Sequence, residues 1–178
     1  TYEGRAINGR PRSRLATGTC SSVWRAGGKW WGTTAILADA FKGLIPVALA
    51  PFWGGVSGWP LAAVGIAPVL GHAYTPFLGF NGGKALAVTF GIWTGLAPWQ
   101  APVVLGLAFL VWLKTLRVEG WAVVAGMATL LVYLLIFDRD PALLAVWLVN
   151  TAVFVVKHRD DFRRPPDLAN GWLGRFMR

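Results

Sequence analysis

The sequence predicts an all-α, polytopic membrane helix bundle, and three observations predict it. Of 178 residues, 55% are hydrophobic and only 14% charged, and the mean hydropathy of +0.51 lies on the apolar side of soluble domains. The apolar residues fall into runs close to the roughly 20 residues that cross a bilayer. The connections between those runs alternate between basic and nearly uncharged, as loops do when they are sorted to opposite membrane faces.

In chain order, TYEGRAINGRPRSR is too polar for a signal peptide or a span, and the chain starts at Thr1. The expectation is that a leading segment has been removed. Spans are expected near 31–53 and 58–78. The segment 85–97, ALAVTFGIWTGLA, is apolar but short. It follows Gly82-Gly83-Lys84 and precedes Pro98, so it reads as a helix that starts part-way into the membrane or lies tilted. Spans near 99–116, 120–137 and 141–157 complete six transmembrane helices in one integral-membrane domain covering residues 1–178. The tail KHRDDFRRPPDLANGWLGRFMR alternates basic and aromatic residues. Pro165-Pro166 ends any helix there, and its charges suit the surface of an anionic leaflet.

The loop charges orient this bundle. Arg5, Arg10, Arg12, Arg14, Arg25 and Lys29 precede the first span, and GGVSG after it carries none. Lys84, the pair Lys114 and Arg117, and the tail from Lys157 then alternate with the uncharged APWQ and the nearly neutral DRD. The positive-inside rule therefore puts both ends, residues 79–84 and the 114–119 turn in the cytoplasm.

Several classes are disfavoured. The formal charge of +9 does not form a basic stripe interleaved with exposed aromatics, so no nucleic-acid partner is expected. One cysteine excludes an internal disulfide framework, and two histidines far apart argue against a metal site. No Ser/His/Asp arrangement is evident. A transporter would be expected to show more intramembrane charge, or an inverted repeat. The eleven tryptophans suit interfacial belts, with about half expected in packing instead.

The polar residues that remain point to an anion. In GFNGGKALAV, Gly82 and Gly83 lead into a helix start, where free backbone N–H groups and the positive helix end can face a phosphate-sized ligand beside Lys84. Asp39 and Lys42 sit three positions apart on one face of the first span. At a helix centre each charge costs ~2.5–3.5 kcal/mol, so the two should pair and face protein or water, in a structural or site-orienting role. His72 near the end of the second span is either a satisfied structural group or a proton carrier. His158 and Arg159 end the last span, where cations complement the helix C-terminus. Arg25, among Trp24, Trp30 and Trp31, either snorkels to lipid phosphate or grips an anionic substrate.

Together these residues resemble the PlsY family of bacterial integral-membrane acyltransferases. Residues 71–87, GHAYTPFLGFNGGKALA, are similar to the family's GHxxPxFxxFxGGKGVA, with the proline displaced by one and Ala85 where glycine is commoner. LADAFKGLIP resembles LLDxxKGxxP, VWRAGGKWWG resembles xxRxxGxxxG, and KHRDDF resembles HRxNI. The likeness runs through the chain in order. It implies a fold of seven transmembrane helices, of which the first is absent here. It also implies transfer of a fatty acyl group from acyl phosphate to the sn-1 hydroxyl of glycerol 3-phosphate, with no cofactor and no metal.

By the same resemblance, Lys84, Arg25 and His158 are the catalytic candidates. Gly82, Gly83 and Lys84 would hold acyl phosphate by that likeness, and the hydroxyls of Thr17, Thr19 and Ser21, with Gly18 between them, offer further phosphate ligands from the residues themselves. Arg25, Lys84, His158, Arg159 and Asp161 would hold the acceptor, and Asp39, Lys42 and His72 would orient the site. The expected form is a monomer in the bacterial cytoplasmic membrane with its site facing the cytosol. Three positions depart from the family pattern: residues 16–22, ATGTCSS, replace a loop similar to GSGNxGATN; Glu119 falls in a serine-bearing turn; Asp161 stands for asparagine. A second reading therefore stays open, a weak or inactive relative that binds lipid phosphate or uses another acceptor.

Overall fold

The computed structural model describes residues 20–168, with side chains from residue 28 on. Among the described residues six α-helices make up the bundle: α1 Cys20–Gly54, α2 Gly58–Ala73, α3 Leu86–Leu96, α4 Gln100–Thr115, α5 Glu119–Phe137 and α6 Pro141–Lys157. Among the described residues there is no strand, only an isolated bridge between Leu116 and Leu168. The stretches Gly28–Gly54, Gly58–Leu78 and Glu119–Phe137, of 27, 21 and 19 residues, are long and apolar enough to cross a membrane. Both faces of α4, α5 and α6 are apolar. Leu107, Val111, Ile136 and Leu148 point outward while Leu105, Phe109, Leu130 and Phe154 are buried, as a lipid-bathed bundle requires.

Helix α1 begins earlier than the apolar run suggests. The chain is already helical at Cys20, and the spanning part is set off at Gly28, whose backbone (φ 79°, ψ −175°) breaks the helix in a conformation glycine tolerates. Helix α2 ends at Ala73, short of the expected 78, because Pro76 opens a separate 3-10 turn, Pro76–Leu78. The tryptophans divide as well. Among the described residues Trp30, Trp31, Trp53, Trp59 and Trp99 are exposed, while Trp93 is fully buried and Trp112, Trp121 and Trp147 are half-buried with indole N–H groups bonded inside the protein, close to the expected division between interface and packing.

Helix α3 decides how the site is built. Its 11 residues rise only ~16 Å, about half the hydrocarbon thickness, so its N-terminus opens inside the bundle. Its centre is buried along Val88, Thr89, Gly91, Ile92 and Trp93. Small residues bring it against α1: a Cβ at Gly91 would collide with the Ala40 carbonyl, and one at Gly43 would lie 2.6 Å from the Val88 carbonyl oxygen. Gly91 and Gly95 form the small-xxx-small spacing that lets membrane helices approach closely. On its other side, Thr89 Oγ1 lies 3.0 Å from Asn150 Oδ1 of α6, a buried polar tie.

The crossing gives a direct test. Gly91→Ala is expected to lower stability by ~1–3 kcal/mol through overpacking, whereas Gly106→Ala, whose Cβ would meet nothing closer than Phe90 at 3.9 Å, should be near neutral. Unfolding in detergent, followed for both variants, checks it, and equal midpoints would refute the close crossing.

Candidate active site

The site lies at one end of the bundle, where the start of α3, the start of α5 and the ends of α2 and α6 meet. The loop leading into α3 is held by its own backbone. Phe80 N–H donates to Thr75 O at 3.0 Å and Asn81 N–H to Leu78 O at 3.1 Å. Gly82 and Gly83 then donate to the Ala73 and His72 carbonyls at 3.1 and 3.2 Å, satisfying carbonyls that the end of α2 leaves free. This changes the expected anion cradle, because these two glycine N–H groups are already engaged. The unpaired N–H groups of the first turn of α3 begin beyond them, over residues 86–88. Gly82 is needed for contact, since a Cβ there would run into the His72 carbonyl. Ala85, the N-cap residue, adopts a left-handed conformation (φ 62°, ψ 12°) that costs an L-residue roughly 1–2 kcal/mol. That is the position where the resembling motif carries glycine.

A cavity of about 330 Å³ opens over this helix start. Gly83, Lys84, Ala85, Leu86 and Ala87 form its floor, Ile36 and Phe90 give it an apolar wall, and Asp39, His72 and Glu119 contribute the polar groups. A second, polar cavity of about 250 Å³ lies on the far side of Gly83, between Asp39, Lys42, His72, Thr75 and Gly82. Asp39, His72 and Gly83 line both. Lys42 Nζ lies 2.6 Å from both Asp39 Oδ1 and His72 Nδ1, so the charged pair on α1 is completed by the histidine of α2.

Lys84 points toward α5 and the end of α6. Its Nζ is 2.7 Å from Glu119 Oε2 and 3.7 Å from Asp161 Oδ2. His158 is fully buried, with Nδ1 3.1 Å from the Phe154 carbonyl. Because a carbonyl only accepts, Nδ1 carries the proton, and Nε2 faces Glu119 Oε1 at 3.8 Å without a hydrogen bond. Gly120 allows this approach, since a Cβ there would lie 2.8 Å from Asp161 Cβ and 3.1 Å from His158 Cβ. Glu119, His158 and Asp161 bring one ligand atom each within 4.8 Å of one another. That donor set could hold a cation, and the Lys84 ammonium already stands beside both carboxylates.

Of the residues singled out in the sequence, Gly82, Gly83, Lys84, His158 and Asp161 come together here. Arg159, next to His158, is exposed. Thr17, Gly18 and Thr19 lie outside the described residues, as do the side chains of Ser21 and Arg25. Glu119 is the residue whose part in the site was missed. It was visible only as a departure in a turn, because nothing in a sequence shows that it meets Lys84, 35 positions away. The tail also differs from a freely lying basic segment. Arg117 N–H donates to Asp167 O at 2.9 Å and Trp121 Nε1–H to Arg164 O at 3.0 Å, so residues 161–168 fasten onto the turn between α4 and α5.

Fold and site define an integral-membrane helix bundle with a charged cluster beside an apolar cavity at one end. Residues 16–166 match the family model described as glycerol-3-phosphate acyltransferase. The chain is 36% identical over 156 residues to a glycerol-3-phosphate acyltransferase of Geobacter sulfurreducens, covering 88% of this chain and 78% of that protein. It is also 36% identical over 159 residues to glycerol-3-phosphate acyltransferase 1 of Thermotoga maritima, covering 81% of this chain and 78% of that protein. The crystal structure of PlsY (YgiH), an integral membrane glycerol 3-phosphate acyltransferase, in its glycerol 3-phosphate form superposes with a TM-score of 0.73. The two are 27% identical, over 90% of this chain and 81% of that one. The lysophosphatidic acid form gives 0.72 at 28% identity, over 82% and 74% of the two chains. The chain belongs to the glycerol-3-phosphate acyltransferase family.

Proposed function

We propose that this protein transfers a fatty acyl group from acyl phosphate to the sn-1 hydroxyl of glycerol 3-phosphate at the cytoplasmic face of a bacterial plasma membrane. The observation that carries this reading is Lys84, set at the mouth of a half-length helix and beside a cavity with an apolar wall. Acyl phosphate is already activated, so catalysis reduces to holding two anions in line and neutralising the departing phosphate. Lys84 and the free N–H groups at the start of α3 suit that task, with Ile36, Leu86, Ala87 and Phe90 beside the acyl chain.

In the step itself, the acceptor oxygen bonds to the acyl carbon, the bond from that carbon to the phosphate oxygen breaks, and the hydroxyl proton leaves with the phosphate. The products are lysophosphatidic acid and inorganic phosphate. His158 and Asp161 lie on the acceptor side with Lys84, while Asp39, Lys42 and His72 brace the loop behind Gly83. The pattern of basic loops supports the cytoplasmic orientation, and a monomer suffices because one chain supplies both walls of the cavity.

The purified protein in lipid is expected to release phosphate from a long-chain acyl phosphate when glycerol 3-phosphate is added. No release with this or several other acceptors, beside an active relative as control, would overturn the proposal.

A further inference from the structure

One carboxylate in the cluster is not needed by the reaction just proposed. Glu119 Oε2 lies 2.7 Å from Lys84 Nζ, and among the described residues lining the larger cavity Lys84 alone carries a permanent positive charge. The ammonium that an incoming phosphate would use is therefore already occupied. Asp161 adds a second carboxylate at 3.7 Å, so Lys84, Glu119 and Asp161 together sum to one negative charge. A phosphate dianion approaching this arrangement meets repulsion before it meets Lys84.

The pair is placed to open. The Lys84 and Glu119 side chains are 35% and 45% exposed, and such water-screened pairs hold weakly. Glu119 also has somewhere to go. As the first residue of α5 it sits at the positive end of that helix, and its other oxygen is 3.8 Å from His158 Nε2. That nitrogen is buried and has no hydrogen-bond partner. A carboxylate released from Lys84 can swing back over the N-terminus of its own helix, leaving the ammonium to the phosphate.

We infer that Glu119 is a specificity-determining residue, a built-in counter-ion that competes with the phosphate of the acceptor for Lys84. The inference rests on the activity proposed above and adds that acceptor affinity is held low by this side chain. Removing its charge then tightens acceptor binding without supplying any new contact.

The test is Glu119→Gln in the full chain in lipid, with Glu119→Ser as a second variant. KM for glycerol 3-phosphate is measured at saturating long-chain acyl phosphate, and KM for the acyl phosphate at saturating acceptor. The acceptor KM is expected to fall about tenfold in both variants, and by clearly more than the donor KM, because the helix N-terminus also holds the donor phosphate. A merely structural role would instead lower kcat or stability. An unchanged or raised acceptor KM overturns the inference, and a fall confined to the donor overturns its assignment to the acceptor. Glycerol 3-phosphate binding is read separately, from the thermal shift it induces. Should neither wild type nor variant turn over, the proposed activity fails. Tighter binding by the variant would still support the counter-ion role, and equal binding would end it.

Discussion

Lys84→Ala is expected to lower phosphate release from acyl phosphate by about 10²–10³-fold, the range seen when one fixed electrostatic stabiliser is removed from a reaction site. The ammonium lies at the start of α3, whose own N-terminal dipole favours an anion in the same place. Helix and side chain therefore act on one phosphate, and the backbone half survives the substitution. The fold should survive too, because the partners of Lys84 are the half-exposed Glu119 and Asp161, and pairs of that kind contribute little to stability.

Lys84→Arg is not expected to restore the rate. A planar guanidinium is larger than an ammonium and aims its donors differently. Activity assays beside matched unfolding midpoints check both variants. A rate for Lys84→Ala within a fewfold of wild type, in folded protein, would remove Lys84 from the site.

Much of this was legible in the sequence, and particular residues show why. The spans near 120–137 and 141–157 agree with α5 and α6 to within a residue, because each is a continuous apolar run bounded by charge. The alternation of loop charge put Lys84, the start of α5 and the end of α6 on one face, which is where the cluster forms. What stayed hidden depends on three-dimensional contact. The helix from Cys20 to Gly28 lies outside any apolar run, so hydropathy does not register it. The Gly91-x-x-x-Gly95 spacing was legible in principle, but only the crossing with Ala40 and Gly43 shows what the glycines do. Gly82 and Gly83 looked like free donors because a sequence does not show that the end of α2 offers them carbonyls. The Glu119 contact with Lys84 was hidden for the same reason.

Gly82→Ala is expected to be nearly as damaging as the loss of Lys84, although residue 82 lies two positions before it. The methyl group would run into the His72 carbonyl and lie 2.9 Å from the Ala73 carbonyl oxygen. These are backbone atoms at the end of a packed helix, which cannot step aside as a side-chain tip can. The loop must lift, and with it go the 3.1 and 3.2 Å hydrogen bonds from Gly82 and Gly83 that fix where α3 begins. A displacement near 1 Å at the reacting groups can cost about 10²-fold in rate, and overpacking of this kind ~1–3 kcal/mol in stability.

Gly71→Ala is the control, because a Cβ there meets nothing within 4 Å; it should keep near-wild-type rate and stability. If Gly82→Ala instead matched Gly71→Ala in phosphate release, the docking of the loop on α2 could not be what positions Lys84. The lysine would then owe its place to Glu119 and Asp161 alone, and Glu119→Gln would have to slow the reaction where the counter-ion role requires only that the acceptor bind more tightly.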